Sequence, residues 1–466
     1  MRRFFHSTII AFTAAAFPTA AAYAAEPPTA SSPHLPATDE AERIYGQYGD
    51  AIYQVQVIDL ASGKKSSIGS GFVFTDGGTE QGLIATNYHV VAEAVQRPEA
   101  NRLEYLHDKG ERGNLIILMA DAVHDLAILR METPAKNSAL KSVALGTSKL
   151  PKGARLFSLG NPHDIGFTIV EGTYNGLSSE SFIDKIHFSG ALNPGMSGGP
   201  ALGHDGKVAG INVATAGNQI GFLVPVEPLR DLLNAWRAQP ADYDFLKDAD
   251  SYIETQLLKL QDDNIKKLLA QPWDSVSFGG LQLPGRIDPV FKCWGAAAHQ
   301  EKDPYTYYRS NCASQDNIFL DDDFTTGTYS YEYDALRPKE DPKDKSQKMG
   351  VSRFYNFYEQ QYIAPPEDAQ NAGEGDVTNF SCNSKFVKAA GHTWKSAFCV
   401  RKYKSYPALH DMRLYMALVG EGARGLVLSM TADGLSKTNA LALAARFISE
   451  IKQPDVKKAS DKREDK

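Results

Sequence analysis

Cysteine is scarce in this chain of 466 residues, and none of its four cysteines precedes Cys293. Any disulfide is therefore confined to the C-terminal part. Long hydrophobic runs are missing after the first two dozen residues, which excludes an integral membrane segment in the remainder. A positive excess is missing too. Lys and Arg number 49 against 56 Asp and Glu, a formal charge of −7. No stretch interleaves basic with aromatic residues, so a nucleic-acid surface is not expected. No internal repeat is found. What is present is a hydrophobic content of 42% and a charged content of 23%. Those values suit soluble globular protein with sizeable cores, and the length suits two or three domains.

Residues 1–24 read as a secretory signal peptide. Arg2 and Arg3 supply the positive start, Ile9 to Ala22 the apolar stretch, and Ala22-Tyr23-Ala24 the small-x-small cleavage site before Ala25. A membrane anchor fits less well, because the stretch is short for a bilayer and broken by Thr13, Pro18 and Thr19. A periplasmic or secreted protein is expected. The cysteines agree, since an even count in an exported chain favours disulfides. Four cysteines allow three connectivities. Proximity favours Cys293 with Cys312 and Cys382 with Cys399, and no pair has the close spacing of zinc ligands.

A Pro, Ser, Thr and Ala leader over residues 25–38 precedes a short helix at Asp39–Tyr48. Ten short strands are then expected: Ala51–Leu60, Ser66–Thr75, Gly82–Asn87, Asn114–Asp121, Leu126–Met131, Arg155–Gly160, Phe167–Tyr174, Ile186–Ser189, Val208–Thr215 and Gly221–Val224. Many strands with little helix between them point to an all-β barrel or sandwich, closed by a helix at Val226–Arg237. Residues 238–272 carry leucine and isoleucine at helical spacing and predict a connector of one or two helices, packed on a neighbouring domain. Residues 273–454 read as a disulfide-bearing α+β domain with one helix at Lys437–Lys452, whose apolar side holds Asn439, Leu441, Leu443, Ala444 and Phe447. Exposed loops are expected at Asp334–Gly350 and Pro365–Asp376, and the charged tail 455–466 reads as disordered.

Three segments carry chemistry. Ser197 lies in Asn193-Pro194-Gly195-Met196-Ser197-Gly198-Gly199-Pro200, His89 in Ala85-Thr86-Asn87-Tyr88-His89-Val90-Val91, and Asp125 in His124-Asp125-Leu126-Ala127. Serine, histidine and carboxylate together make an alcohol nucleophilic at neutral pH. Gly195–Gly199 also matches the Gly-x-Ser-x-Gly elbow of α/β-hydrolases. That elbow needs a helix after the serine and its acid and histidine downstream. Here a turn at Asp205-Gly206 follows, and both partners lie upstream, so the elbow fails. His107, His124, His163, His187 and His204 lack such flanks and read as structural or exposed.

The segments and their order resemble the trypsin-like serine proteases, above all the bacterial Deg-type (high-temperature-requirement) branch. The resemblance runs from about Ala51 to Leu232. It includes Gly69-Ser70-Gly71-Phe72-Val73, Leu159-Gly160-Asn161-Pro162, Gly210-Ile211-Asn212 and Gly221-Phe222. It implies a chymotrypsin-like double β-barrel over residues 39–237. His89, Asp125 and Ser197 would be catalytic, with the backbone N–H groups of Gly195 and Ser197 as the oxyanion hole. The specificity pocket would be lined by Ala191, Leu192, Val213, Ala214, Thr215 and Gly221. None is charged, so small or medium apolar side chains are expected there. The substrates would be proteins or peptides, and no metal or organic cofactor is called for.

Two departures stand out. Met196 occupies the position where digestive members have an aspartate that pairs with a newly cut N-terminus, so activation in that manner is not expected. Deg-type proteins usually carry PDZ domains after the barrels, and none is recognisable here. These departures support an alternative from another class: a catalytically silent binding or scaffold protein on a protease fold. A C-terminal domain that gates the cleft is a third possibility. The resemblance also suggests processing or quality control of envelope proteins.

Overall fold

A computed structural model describes residues 39–133, 140–178, 180–215, 220–298, 303–339, 348–362 and 372–454. Residues 1–38, read above as signal peptide and leader, and residues 455–466 lie outside the described residues, as does most of the Pro365–Asp376 loop. No helix among the described residues is long and apolar enough to cross a membrane.

Helix α1 (Asp39–Tyr48) leads into β1 (Ile52–Asp59), β2 (Lys64–Thr75) and β3 (Leu83–Thr86). Helix α2 (Tyr88–Gln96), β4 (Asn101–Leu106), β5 (Arg112–Asp121), β6 (Leu126–Met131) and the short β7 (Val143–Ala144) follow. The strands pair in the order β1-β4-β5-β6-β3-β2, and β2 returns to β1, closing a six-stranded barrel with β7 added outside on β2. A second closed barrel runs β10-β13-β12-β11-β8-β9. Its strands are β8 (Arg155–Gly160), β9 (Thr168–Leu177), β10 (Ile186–Phe188), β11 (Pro200–Leu202), β12 (Val208–Thr215) and β13 (Gly221–Pro225). Closure leaves neither sheet an unpaired edge. The two barrels are the chymotrypsin-like architecture.

Four elements of this region are not in the sequence reading: α2, the short strands β7 and β11, and strand β4, which pairs with β1 from Gln54↔Leu106 to Asp59↔Asn101. The residues of α2 turn Val90, Val91, Ala94 and Val95 inward, so burial holds a helix of β-branched residues whose propensity is poor.

Helix α3 (Val226–Arg237) closes the barrels, and the connector is one helix, α4 (Phe245–Ala270). Its first half buries Phe245, Ala249, Ile253 and Leu257 in the core of the barrels. Its last turns bury Ile265 and Leu268 in a second core. At about 1.5 Å per residue this rod is about 39 Å long and is shared by both cores.

The C-terminal part begins with the ribbon β14 (Ser275–Phe278) and β15 (Leu281–Pro284). Next come β16 (Phe291–Ala298), β17 (Tyr305–Ser314), the hairpin β18 (Ile318–Asp321) and β19 (Phe324–Thr326), and β20 (Tyr329–Pro338). Helix α5 (Val351–Tyr362), β21 (Ser381–Ala389), β22 (His392–Lys402), β23 (Leu409–Val419), β24 (Gly425–Ser436) and α6 (Lys437–Ser449) complete it. Seven strands form one sheet in the order β16-β17-β20-β24-β23-β22-β21. Tyr329, Tyr331 and Tyr333 recur at the two-residue period of a strand and share a core with Leu443 and Phe447 of α6. Helix α5 packs Phe354 and Tyr358 against Leu336, Ala417 and Val427.

Each edge strand is tied to its neighbour by a disulfide between directly opposed residues, Cys293–Cys312 and Cys382–Cys399. Three expectations need correction. Asp334–Gly350 does not begin as an exposed loop: β20 continues to Pro338, and Asp334 is buried because Arg309 and Tyr307 satisfy its carboxylate. Leu441 faces away from the core, 50% exposed, and Ala440 takes its place. Asn439 is not apolar packing, since it donates to Gln261 and Asp262 of α4. Helix α5 is an addition, as only one helix was expected in this domain.

Candidate active site

The first turn of α2 brings His89 beside the start of β6. Asp125 Oδ2 lies 2.7 Å from His89 Nδ1, and Oδ1 accepts the His89 N–H at 2.8 Å. The Asp125 carbonyl accepts the Asn87 side-chain amide at 2.8 Å. Asp125 needs this bracing, because its φ is 55°. Left-handed backbone is costly for most residues and tolerated by aspartate, and here three hydrogen bonds hold it. A carboxylate on Nδ1 makes that nitrogen the proton carrier and leaves Nε2 as the basic one. Partial burial of the imidazole opposes its charged form. The adjacent Asp125 and the more distant Asp322 outweigh this and raise the His89 pKa above its ordinary value.

Ser197 comes from the second barrel. Its hydroxyl donates to the Val213 carbonyl at 3.0 Å, and no hydrogen bond among the described residues joins it to His89. The surrounding turn is held one group at a time. Met196 N–H donates to Asn193, Gly198 N–H to Asn212, and Gly199 N–H to Met196. Among the described residues, the N–H groups of Gly195 and Ser197 have no protein partner. Gly195 has φ 93°, and a Cβ there would sit 2.4 Å from the Asn161 carbonyl, so only glycine fits.

Two residues that were not singled out for a role hold this turn. Ser70, fully buried, donates its hydroxyl to the Gly195 carbonyl at 2.7 Å and accepts the Asn161 N–H at 2.9 Å. Its own N–H reaches the Ser197 carbonyl at 2.7 Å. Asn212, also fully buried, donates to the carbonyls of Leu159 and Met196. Their signal in sequence was a small polar residue inside an apolar strand, Gly69-Ser70-Gly71 and Ile211-Asn212-Val213. Met196 is buried among Leu156, Ile186, Phe188 and Leu223 in the core of the second barrel. Hydrophobic packing thus fixes the turn where an ion pair would do so in digestive enzymes.

The residues expected to line the pocket do not all meet in one place. Leu192 is buried next to Met196, and a Cβ on Gly221 would lie 3.1 Å from its side chain. Ala191 is exposed. Val213 instead lines a cavity of about 400 Å³ with His89 and Asp125. Ala214 and Thr215 end β12, and their side chains lie outside the described residues. Of the histidines read as structural, His124 forms its own pair with Asp121 at 2.7 Å.

The same cavity has an unexpected wall. Asn317, Ile318 and Phe319 of the C-terminal part line it, and the Phe319 ring stands edge-on to His89 with centroids 5.9 Å apart.

The family model of the trypsin-like peptidase domain matches residues 69–211. Protease Do-like 1, chloroplastic, from Arabidopsis thaliana is 31% identical over 196 residues, which are 39% of this chain and 41% of that protein. The "Probable periplasmic serine endoprotease DegP-like" of Marinomonas sp. (strain MWYL1) is 32% identical over 168 residues, 34% of this chain and 32% of its own. The crystal structure of Deg5 aligns with 41% of this chain and 91% of its own at 29% identity, with a TM-score of 0.35. The chain thus spans about half or less of these two relatives, and the match falls on the barrels. It carries a trypsin-like peptidase domain similar to those of the Deg-type serine proteases.

Proposed function

We propose that this chain is an exported serine endopeptidase that cleaves peptide bonds through an acyl-enzyme on Ser197. The observation that carries the reading is the joint arrangement of a His89 Nδ1 held at 2.7 Å by Asp125 and a glycine turn with the N–H groups of Gly195 and Ser197 free. Ser197 Oγ would turn from the Val213 carbonyl to His89 Nε2, give up its proton there and attack the substrate carbonyl. The developing oxyanion would be met by the two free N–H groups, which cost no reorganisation because the turn already holds them. His89 would then pass its proton to the leaving amine, and water would repeat the sequence to release the acid. The lack of charge at Ala191, Leu192, Val213 and Gly221 supports cleavage after small or medium apolar residues. Relatives whose names place them in the periplasm support export and a role in the envelope.

One observation favours the silent-scaffold reading: the Ser197 hydroxyl is engaged by Val213 and not by His89. Catalytic hydrogen bonds in unliganded enzymes are often unmade until substrate binds, so this geometry is also that of a resting site. Labelling of the purified protein with a fluorescent fluorophosphonate, beside Ser197→Ala and with casein digestion in parallel, separates the two. The endopeptidase labels and digests casein only with Ser197 intact. A folded parent that does neither leaves the scaffold reading standing.

A further inference from the structure

The hairpin β18–β19 belongs by sequence to the C-terminal part and by packing to the barrels. Ile318, Leu320 and Phe324 are buried in the same core as the first barrel. The hairpin is fastened at both ends. Asp316, just before β18, accepts the Phe182 N–H at 2.7 Å and the Ser181 hydroxyl, both on the loop that precedes β10. The Leu320 carbonyl accepts from Tyr88 and Gln96, one at each end of α2, at 3.3 and 2.5 Å. Between these anchors Phe319 is set against His89.

The hairpin frames the site without sealing it. The His89 side chain keeps 28% of its surface exposed with the hairpin in place. The cavity between them, about 400 Å³, is walled by Val123, Ile183, Val224, Ile318 and Phe319, with Asp184 and Lys185 also lining it. Such a volume holds a branched aliphatic or aromatic side chain. It is continuous with the reacting groups, since His89 and Val213 line it. It takes neither Leu192 nor Gly221, so it is separate from the pocket expected for the residue before the scissile bond.

We propose that the C-terminal hairpin completes the substrate cleft, with Phe319 and Ile318 forming a subsite beside His89 for one apolar side chain of a peptide substrate. The inference rests on the endopeptidase reading and names the substrate class it selects. A fixed aromatic wall rewards a buried hydrocarbon side chain at the substrate position that reaches it. The C-terminal domain is then a specificity element of the protease and not an independent module.

The test uses the full mature chain and a peptide library randomised one position at a time on both sides of the cut. The parent is expected to prefer aliphatic or aromatic residues over alanine at one position beyond the residue at the cut. In Phe319→Ala that preference falls by about tenfold or more, the usual worth of such contacts, while the ratios at other positions hold. Phe319→Trp, which fills the cavity, shifts the same position towards smaller side chains. If Phe319→Ala fails to fold, Phe319→Leu and Phe319→Trp make the comparison. A cleaving parent whose variants keep every ratio overturns the inference alone. A parent that neither labels nor cleaves removes the endopeptidase reading and this inference with it.

Discussion

Ser70→Ala isolates one oxygen atom on which the candidate oxyanion hole depends. The Ser70 hydroxyl is the donor to the Gly195 carbonyl and the acceptor of the Asn161 N–H, in a fully buried position. Its loss leaves the Asn161 N–H without an acceptor, at about 1–3 kcal/mol. It also removes the restraint on the Gly195 peptide, which glycine at φ 93° can rotate without a side-chain clash. A bias of about 1–3 kcal/mol is about a 5- to 150-fold change in the ratio of the working turn to a rotated one. The ceiling is set by complete loss of one oxyanion donor, about two to three orders of magnitude in turnover. The expected result is a kcat lower by about 10- to 100-fold with KM little changed, because the oxyanion exists only in the transition state. Affinity for a peptide boronate should fall in parallel, and urea unfolding reports whether the variant is folded. A folded Ser70→Ala with kcat within about threefold of the parent, less than even one ordinary hydrogen bond would cost, refutes the argument.

Asp125→Asn should lower kcat by about four orders of magnitude, since the amide favours the wrong imidazole tautomer. His89 must be neutral to act as base, and Asp125 and Asp322 hold its pKa above the ordinary value of about 6.5. The acid limb of kcat/KM in the parent therefore lies above that pH and moves down in Asp322→Asn; a parent limb below pH 6 contradicts the electrostatic account. Met196→Asp places an unpaired carboxylate in the core of the second barrel and should cost about 3–5 kcal/mol of stability at neutral pH; an unchanged urea midpoint would show that the turn is not anchored by packing. Burial and the neighbouring Asp411 push the Asp433 carboxyl up to about 7 against the pull of Arg413 and Arg401. A folded-state pKa above the unfolded value of about 3.9 means the folded chain holds the proton longer, so stability falls as pH rises from about 4 to about 7. Asp433→Asn should flatten that slope, and equal slopes in thermal unfolding would show that Asp433 is not its source.

The barrels were largely legible because their signals are local. Strands β1, β2, β6 and β8 could be read to within a residue or two from apolar alternation and glycine breaks, and the closing helix α3 lies where its pattern put it. Helix α2 was hidden because its residues favour strand by propensity and become helical only when one face is buried. The exposed loop expected after Asp334 failed for the opposite reason. Charge density there reads as solvent, yet Asp334 pairs with Arg309 across the sheet and stays inside.

What no local reading reaches is the joining of the two halves. Tyr88 and Leu320 are 232 residues apart and share a hydrogen bond, and the Ser181–Asp316 contact spans 135. A hairpin such as Ile318–Thr326, alternating buried and half-buried, carries in sequence only the pattern of any edge ribbon. Its partner surface is set by α4, which enters both cores and so fixes how the sheet domain lies on the barrels. A rigid shared helix and a hairpin fastened at both ends leave the wall beside His89 little freedom to swing away. The gating idea requires that freedom; a specificity wall requires its absence. The buried anchors Leu320 and Asp316 therefore favour the wall, because opening it would expose Leu320 and trade the hydrogen bonds of Asp316 to Ser181 and Phe182 for water, at a cost of about a few kcal/mol.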